Sequence, residues 1–197
     1  DSEAPFWWWA AGSEAEAVLT QTHTPVLLVR MSNAQGSAAY PLHRTRFLVP
    51  LDGSECAEMA LAPALGIAAP MEAELILFRV AQPIPRTQAL AEMPDVYEDI
   101  VAAAYREAEV YLQGVRARLD YPRLTIEHRD GEEGVARQLL DFAAEKGVDL
   151  VVMSSHGRTG VRRWMYGSVA EKILHGCPCA TLIIHCWQPM EQPRGLK

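Results

Sequence analysis

The sequence predicts an α/β protein: one three-layer domain with a five-stranded parallel sheet and helices on both faces. Three observations predict it. Short apolar strands alternate with helical segments through residues 44–186, the pattern of right-handed crossover units. The run from Val148 to Met153 is nearly all apolar, as in strands buried on both sides of a parallel sheet. Apolar residues make up 49% of the 197, enough for a full core and too many for a disordered chain.

The elements follow in order. Residues 45–51 (TRFLVPL) form a short strand that must end at Pro50, which cannot donate to a ladder. Asp52-Gly53-Ser54 turns into a helix over ECAEMALAPALGIAA. Ser54 suits its N-cap, Glu55 and Glu58 suit its first turn, and Pro63 is expected to kink it. Residues 73–80 are the second strand. Residues 81–93 hold two prolines and no period, which predicts a mobile loop. Pro94 opens a long helix with Tyr97, Val101, Ala104, Ala108, Leu112, Val115 and Leu119 on one face.

Residues 123–129 alternate like an edge strand, and 132–146 carry Val135, Leu139 and Ala143 at helical spacing up to a stop at Gly147. After the strand ending at Met153 comes a loop rich in glycine and arginine. Ser168 and Glu171 have the spacing of a capping box for the last helix, and Ala180 to His185 is the last strand. The tail, 187–197, is expected to be loose. Five strands so spaced suit the order 3-2-1-4-5. Ligands bind where the winding reverses, beyond the carboxyl ends of strands one and four. Asp52 follows strand one and Ser154–Gly157 follow strand four, so both loops should face one crevice.

The front of the chain contains a partial copy of the back. Residues 12–30 (GSEAEAVLTQTHTPVLLVR) align without a gap with 167–185 (GSVAEKILHGCPCATLIIH). Both start Gly-Ser, both carry a capping-box spacing (Ser13/Glu16 and Ser168/Glu171), and both end in an apolar strand. Trp9, in the Trp7-Trp8-Trp9 run, falls opposite Trp164. Residues 1–30 are therefore expected to be a repeat of the final helix and strand, and 31–43 a linker. One helix–strand pair cannot bury its own apolar face. Pro25 to Arg30 is expected to pair antiparallel with Ala180 to His185, either within one chain or between two.

Charge and composition exclude several functions. The net charge is −7, which disfavours a phosphate polymer and so general nucleic-acid binding. No segment reaches the roughly 18 apolar residues a membrane span needs. The first residues lack a basic region and a long apolar core, so no signal peptide is expected and the protein should be cytoplasmic. The four cysteines, Cys56, Cys177, Cys179 and Cys186, fit a reducing compartment, and no second ligand pair accompanies Cys177-Pro178-Cys179 to make a metal site.

The loop after strand four has a specific spacing. Ser154-Ser155-His156-Gly157 is followed by nine residues and then Gly167-Ser168. Gly157 and Gly167 let backbone N–H groups approach a phosphate, and Ser168 stands at a helix N-terminus, which favours an anion. Arg158, Arg162 and Arg163 add positive charge at the rim. This segment resembles the G-x2-G-x9-G-[ST] motif of the ATP-binding universal stress proteins, with Ser154 in place of the first glycine. FLVPLDGSE is similar to that family's first strand and turn.

The resemblance implies a Rossmann-like fold akin to the adenine nucleotide alpha hydrolases. It makes residues 1–30 the end of a preceding stress-protein domain. It implies ATP, with AMP or ADP as alternatives, and Mg²⁺ carried on the phosphates. Pro50, Val80 and Met153 would flank the adenine, and Asp52 would hold the ribose or a metal-bound water. Gly157, Gly167, Ser168 and Val169 would meet the phosphates, and Leu51, Ser154, His156 and Arg158 complete the expected nucleotide-binding set. Ser154 puts a side chain where the motif has none. The expected role is regulatory, in a stress response, with at most weak ATPase activity. No nucleophile–base pair and no Walker lysine is evident. The alternative is a nucleotide-free homodimeric interaction module. An adenylating pyrophosphatase is disfavoured, because VPLDGSE lacks a serine-glycine-glycine phosphate loop.

Overall fold

The computed structural model describes residues 22, 24–29, 45–81, 87–131, 133–156 and 167–186. Its strands are β1 (Val26–Leu28), β2 (Arg46–Pro50), β3 (Glu74–Ala81), β4 (Leu124–Asp130), β5 (Leu150–Ser154) and β6 (Ala180–Ile184). Its helices are α1 (Glu55–Glu58), α2 (Leu61–Ala68), α3 (Gln88–Ala91), α4 (Pro94–Ala117), α5 (Val135–Lys146) and α6 (Ser168–Gly176). They form one sheet in the order β1-β6-β5-β2-β3-β4. The five strands from β2 onward are parallel and stand in the 3-2-1-4-5 order of their domain.

The sheet has six strands rather than five because β1 joins the outer edge of β6 in the same chain. It runs antiparallel, with Val26 opposite Ile183, Leu27 opposite Leu182 and Leu28 opposite Thr181. Val26 and Leu28 pack onto the core, and Leu27 points outward. The helix expected before this strand, the 31–43 linker and the tail from 187 lie outside the described residues.

Strand alternation sorts the core into two layers. Phe47, Val49, Leu75 and Leu77 face α1, α2 and α4, where Ala57, Ala64, Leu112 and Val115 meet them. Leu48, Ile76, Phe78, Val151 and Met153 face α5 and α6, against Leu139, Phe142, Ala170 and Ile173. Phe78 and Phe142 are fully buried, with ring centroids 4.5 Å apart. Truncating either to alanine would cost about 3–5 kcal/mol.

Three local expectations change. The helix after Ser54 is two helices, α1 and α2, broken at Met59-Ala60. Pro63 then falls in the first turn of α2, where its missing N–H costs no intrahelical bond and its ring meets no preceding helical carbonyl. Residues 87–93 are not all loop: Thr87 caps the single turn α3 by accepting from the Leu90 N–H. The residue that caps α6 is Gly167, so Ser168 is the first helical residue and the Ser168/Glu171 capping box does not form. Other boundaries follow the sequence, including Pro94 at the start of α4 and left-handed Gly147 (φ 61°) after α5. No helix among the described residues is long and apolar enough to cross a membrane.

Candidate functional site

β2 and β5 are parallel neighbours, so both chains leave the sheet at the same edge. The chain after β2 continues on the α1/α2 face, and the chain after β5 continues to α6 on the other. The winding reverses between them and opens a crevice at their carboxyl ends.

On the β2 side, Leu51 N–H donates to the Phe78 carbonyl (2.8 Å), extending the sheet to the lip of the crevice. Asp52 Oδ1 then accepts from the Ser54 N–H (2.9 Å) and the Ser54 hydroxyl (2.6 Å). Ser54 Oγ accepts in turn from the Ala57 N–H (3.1 Å), capping α1. These bonds hold the Asp52 carboxylate at the rim, half-buried.

On the β5 side, three residues make a knot. Ser155 N–H donates to the Ile184 carbonyl (2.9 Å), and the Ser155 carbonyl accepts from the Gly167 N–H (2.9 Å). The second bond brings the two ends of the glycine-spaced segment together. Ser155 Oγ contacts His156 Nδ1 (3.0 Å). The Ser154 hydroxyl donates to the His156 carbonyl. Ser154 thus answers the question raised by its replacing a glycine: its hydroxyl is spent on its own loop, and the side chain is 5% exposed.

The two sides enclose a cavity of about 260 Å³, just below the range of about 300–1,000 Å³ usual for small-molecule sites. Pro50, Leu51, Val80, Met153 and Val169 supply apolar wall, and Asp52, Ser154, His156, Gly167 and Ser168 supply polar groups. Ten of the twelve residues singled out in the sequence therefore border one cavity. The other two, Gly157 and Arg158, lie outside the described residues, as do Arg162 and Arg163. Sequence reasoning missed Phe78, Val135 and Leu139, which add to the apolar wall. Phe78 is buried in β3 and the other two lie on the inner face of α5. Their sequence signal is that of core, and only the packing of α5 over the strand ends exposes them to the cavity.

Two further features differ from expectation. A serine–histidine contact exists at Ser155 and His156, although no nucleophile–base pair was expected. Ser155 is 2% exposed, and its oxygen also lies 3.4 Å from the Cys186 N–H, so it acts as a structural tie. The cysteines do not all remain thiols, as a reducing compartment would suggest: Cys56 and Cys186 are joined by a disulfide. Cys177 and Cys179 remain thiols, buried with sulfurs 3.3 Å apart. Among the described residues no group of three or more His, Cys, Asp or Glu side chains is placed to hold a metal ion.

Comparison with known proteins agrees with this geometry. The Universal stress protein family matches residues 43–185. Universal stress protein MJ0531 of Methanocaldococcus jannaschii is 31% identical over 140 residues, 71% of this chain and 81% of its own length. Universal stress protein YxiE of Bacillus subtilis is 29% identical over 146 residues, 71% of this chain and 97% of its own. The structure of universal stress protein UspA from Lactobacillus plantarum superposes with a TM-score of 0.57 at 27% identity, covering 71% of this chain and 97% of that one. With the family match running through every strand of the parallel sheet, the chain belongs to the universal stress protein family.

Proposed function

We propose that this protein binds ATP at the crevice between β2 and β5 and acts as a regulatory stress protein with little or no turnover of its own. One observation carries the reading: Asp52 of the turn at 52–54 and the segments 154–156 and 167–169 converge on a single cavity lined by both apolar and polar side chains. An adenine ring fits the apolar wall, between Pro50, Val80 and Met153. Asp52 stands where its carboxylate would accept a hydrogen bond from a ribose hydroxyl or a metal-bound water. Gly167 and Ser168 open the N-terminus of α6; the Gly167 N–H is spent on the Ser155 carbonyl, and the first-turn N–H groups after it, with the helix dipole, favour phosphate. Ser168 is exposed at the first position of α6, where its hydroxyl could reach the same anion. Mg²⁺, when present, would be held through the phosphates. AMP and ADP share the nucleoside contacts and bind with fewer anion contacts.

A thermal-shift titration with ATP and Mg²⁺ tests this. At ligand near 100 times Kd, stabilisation is about 2.7 kcal/mol, which raises the Tm of a chain this size by roughly 5–10 °C. The absence of any shift at millimolar ATP overturns the reading.

The second reading, a nucleotide-free homodimeric interaction module, draws on one observation. Leu27 (54% exposed) and Val29 (58%) present apolar side chains on the outermost strand. A dimer that forms through the outer edge of β1 without nucleotide, together with no ATP shift, would favour it.

A further inference from the structure

We propose that Cys56 and Cys186 form a reversible thiol–disulfide site that couples oxidation to the shape of the candidate nucleotide pocket. The bridge joins the chain segments that lead into the two walls of the pocket. Cys56 is the second residue of α1, directly before Ala57, which borders the cavity. Cys186 lies two residues beyond β6, and its N–H reaches Ser155 Oγ (3.4 Å). Ser155 holds Ile184 and Gly167 through its own backbone (2.9 Å each). The cross-link therefore ties the Asp52 wall to the Ser155–Gly167 wall, with Cα atoms 5.4 Å apart across 130 residues of chain.

The physical consequence follows from what each segment has without it. α1 is one turn of four residues, and a helix that short has almost no stability of its own. With the bridge open, α1 is held by the Ser54 cap, by the packing of Ala57, and through Glu58 by Tyr111 (3.0 Å) and Arg118 (2.8 Å), two bonds that act on the α4 side and do not reach β6. With the bridge closed, it is also fixed to the end of the sheet. The cross-link blocks local separation of α1 from the end of β6, so the reduced pocket samples wider states than the oxidised one.

The chemistry selects this pair over the other two cysteines. Cys186 is half-exposed, and Cys56 is 7% exposed behind it. Cys179 is buried, and its contact with Cys177, followed by burial, pushes its thiol well up, which keeps it protonated and unreactive. A low-molecular-weight disulfide is the oxidant required. The Cys186 thiolate attacks one sulfur of the reagent and expels one small thiolate. The Cys56 thiolate then attacks Cys186 Sγ and expels the second. Two protein thiols lose two protons and two electrons, and the reagent leaves as two thiols. In a reducing compartment such a bridge forms transiently and reopens.

This deepens the nucleotide reading but is measured apart from it. The full-length protein is equilibrated in ratios of reduced to oxidised glutathione, and peptide mapping without reductant follows the thiols. Backbone hydrogen exchange is read at 154–156 and 167–170. The expected result is a Cys56–Cys186 cross-linked peptide that appears and disappears reversibly, with Cys177 and Cys179 unmodified and slower exchange at both segments in the oxidised form. Cys186→Ser should abolish the redox difference in exchange, and the wild-type comparison stands should that variant fold poorly. ATP affinity is then measured in both forms, and a ratio of at least about fivefold is expected.

Three results overturn the coupling: no cross-link at any ratio, a cross-link with unchanged exchange, or ATP binding of equal affinity in both forms. ATP binding to neither form overturns the nucleotide reading instead, while the exchange difference still decides whether the bridge shapes the pocket.

Discussion

A Cβ built on Gly53 would stand 3.0 Å from Nη1 of Arg79. Arg79 is a buried cation in β3, 3% exposed. Its Nη2 is paired to both oxygens of Glu107 (2.8 and 2.7 Å), and its guanidinium stacks on Tyr111 at 4.4 Å. Gly53 also has φ 88°, a conformation side chains rarely adopt. The turn that presents Asp52 thus lies against a buried guanidinium, and glycine suits both the space and the backbone angle.

Gly53→Ala should therefore cost about 1–3 kcal/mol, through strain at a positive φ and through contact with Arg79. Urea denaturation measures it as a lower midpoint with an unchanged slope. In an Arg79→Met background the same change should cost less, because the steric part is relieved and the backbone part stays. Equal costs in both backgrounds would mean that Arg79 does not shape the turn.

Ser168→Asp separates fold from ligand. Ser168 is exposed, in the first turn of α6, and makes no capping bond. An acid there complements the helix dipole by about 0.3–1 kcal/mol, so stability should hold or rise. The same carboxylate would repel phosphate, and the ATP-induced thermal shift should vanish. A retained shift would place the phosphates elsewhere.

The β1 edge gives a paired test. Val26 packs on the α5/α6 side of the core, whereas Leu27 faces out. Val26→Asp should lower stability by about 1.5–3 kcal/mol through lost burial, and Leu27→Asp should change it by less than about 0.5 kcal/mol. Calorimetry on the two variants checks the register. Similar losses would mean that β1 is not seated as Val26 opposite Ile183.

Alkaline stability should depend on Tyr111. Burial, aided by a hydrogen bond to Glu58 (3.0 Å), holds its phenol well above the ordinary 10.0. A folded pKa above the unfolded value favours the protonated form in the native state. That stabilisation is complete below pH 10.0 and is lost as pH rises through the folded value. Tyr111→Phe should flatten the fall in unfolding free energy above about pH 10, while lowering stability at neutral pH by about 1 kcal/mol for the lost hydrogen bond. An unchanged alkaline slope would assign the effect to other groups.

Much of this protein was legible along the chain. Strand and helix periods, Pro50 as a strand end, Pro94 as a helix start and Gly147 as a stop are local consequences of backbone geometry and burial. The order of strands followed from handed crossovers, and the convergence of Asp52 with Ser154 and Gly167 followed from that order. These are short-range rules, and the sequence satisfies them within each segment. Tertiary structure alone decided what depends on distant atoms meeting. It moved the α6 cap to Gly167 and turned the Ser154 hydroxyl back onto its loop. It brought Leu139 of α5 over the strand ends to close the cavity. It set Arg79 beneath Gly53 and placed Cys56 beside Cys186, 130 residues away. No periodicity encodes such contacts, because each arises only after the layers pack and fix the separation of groups that the chain holds far apart.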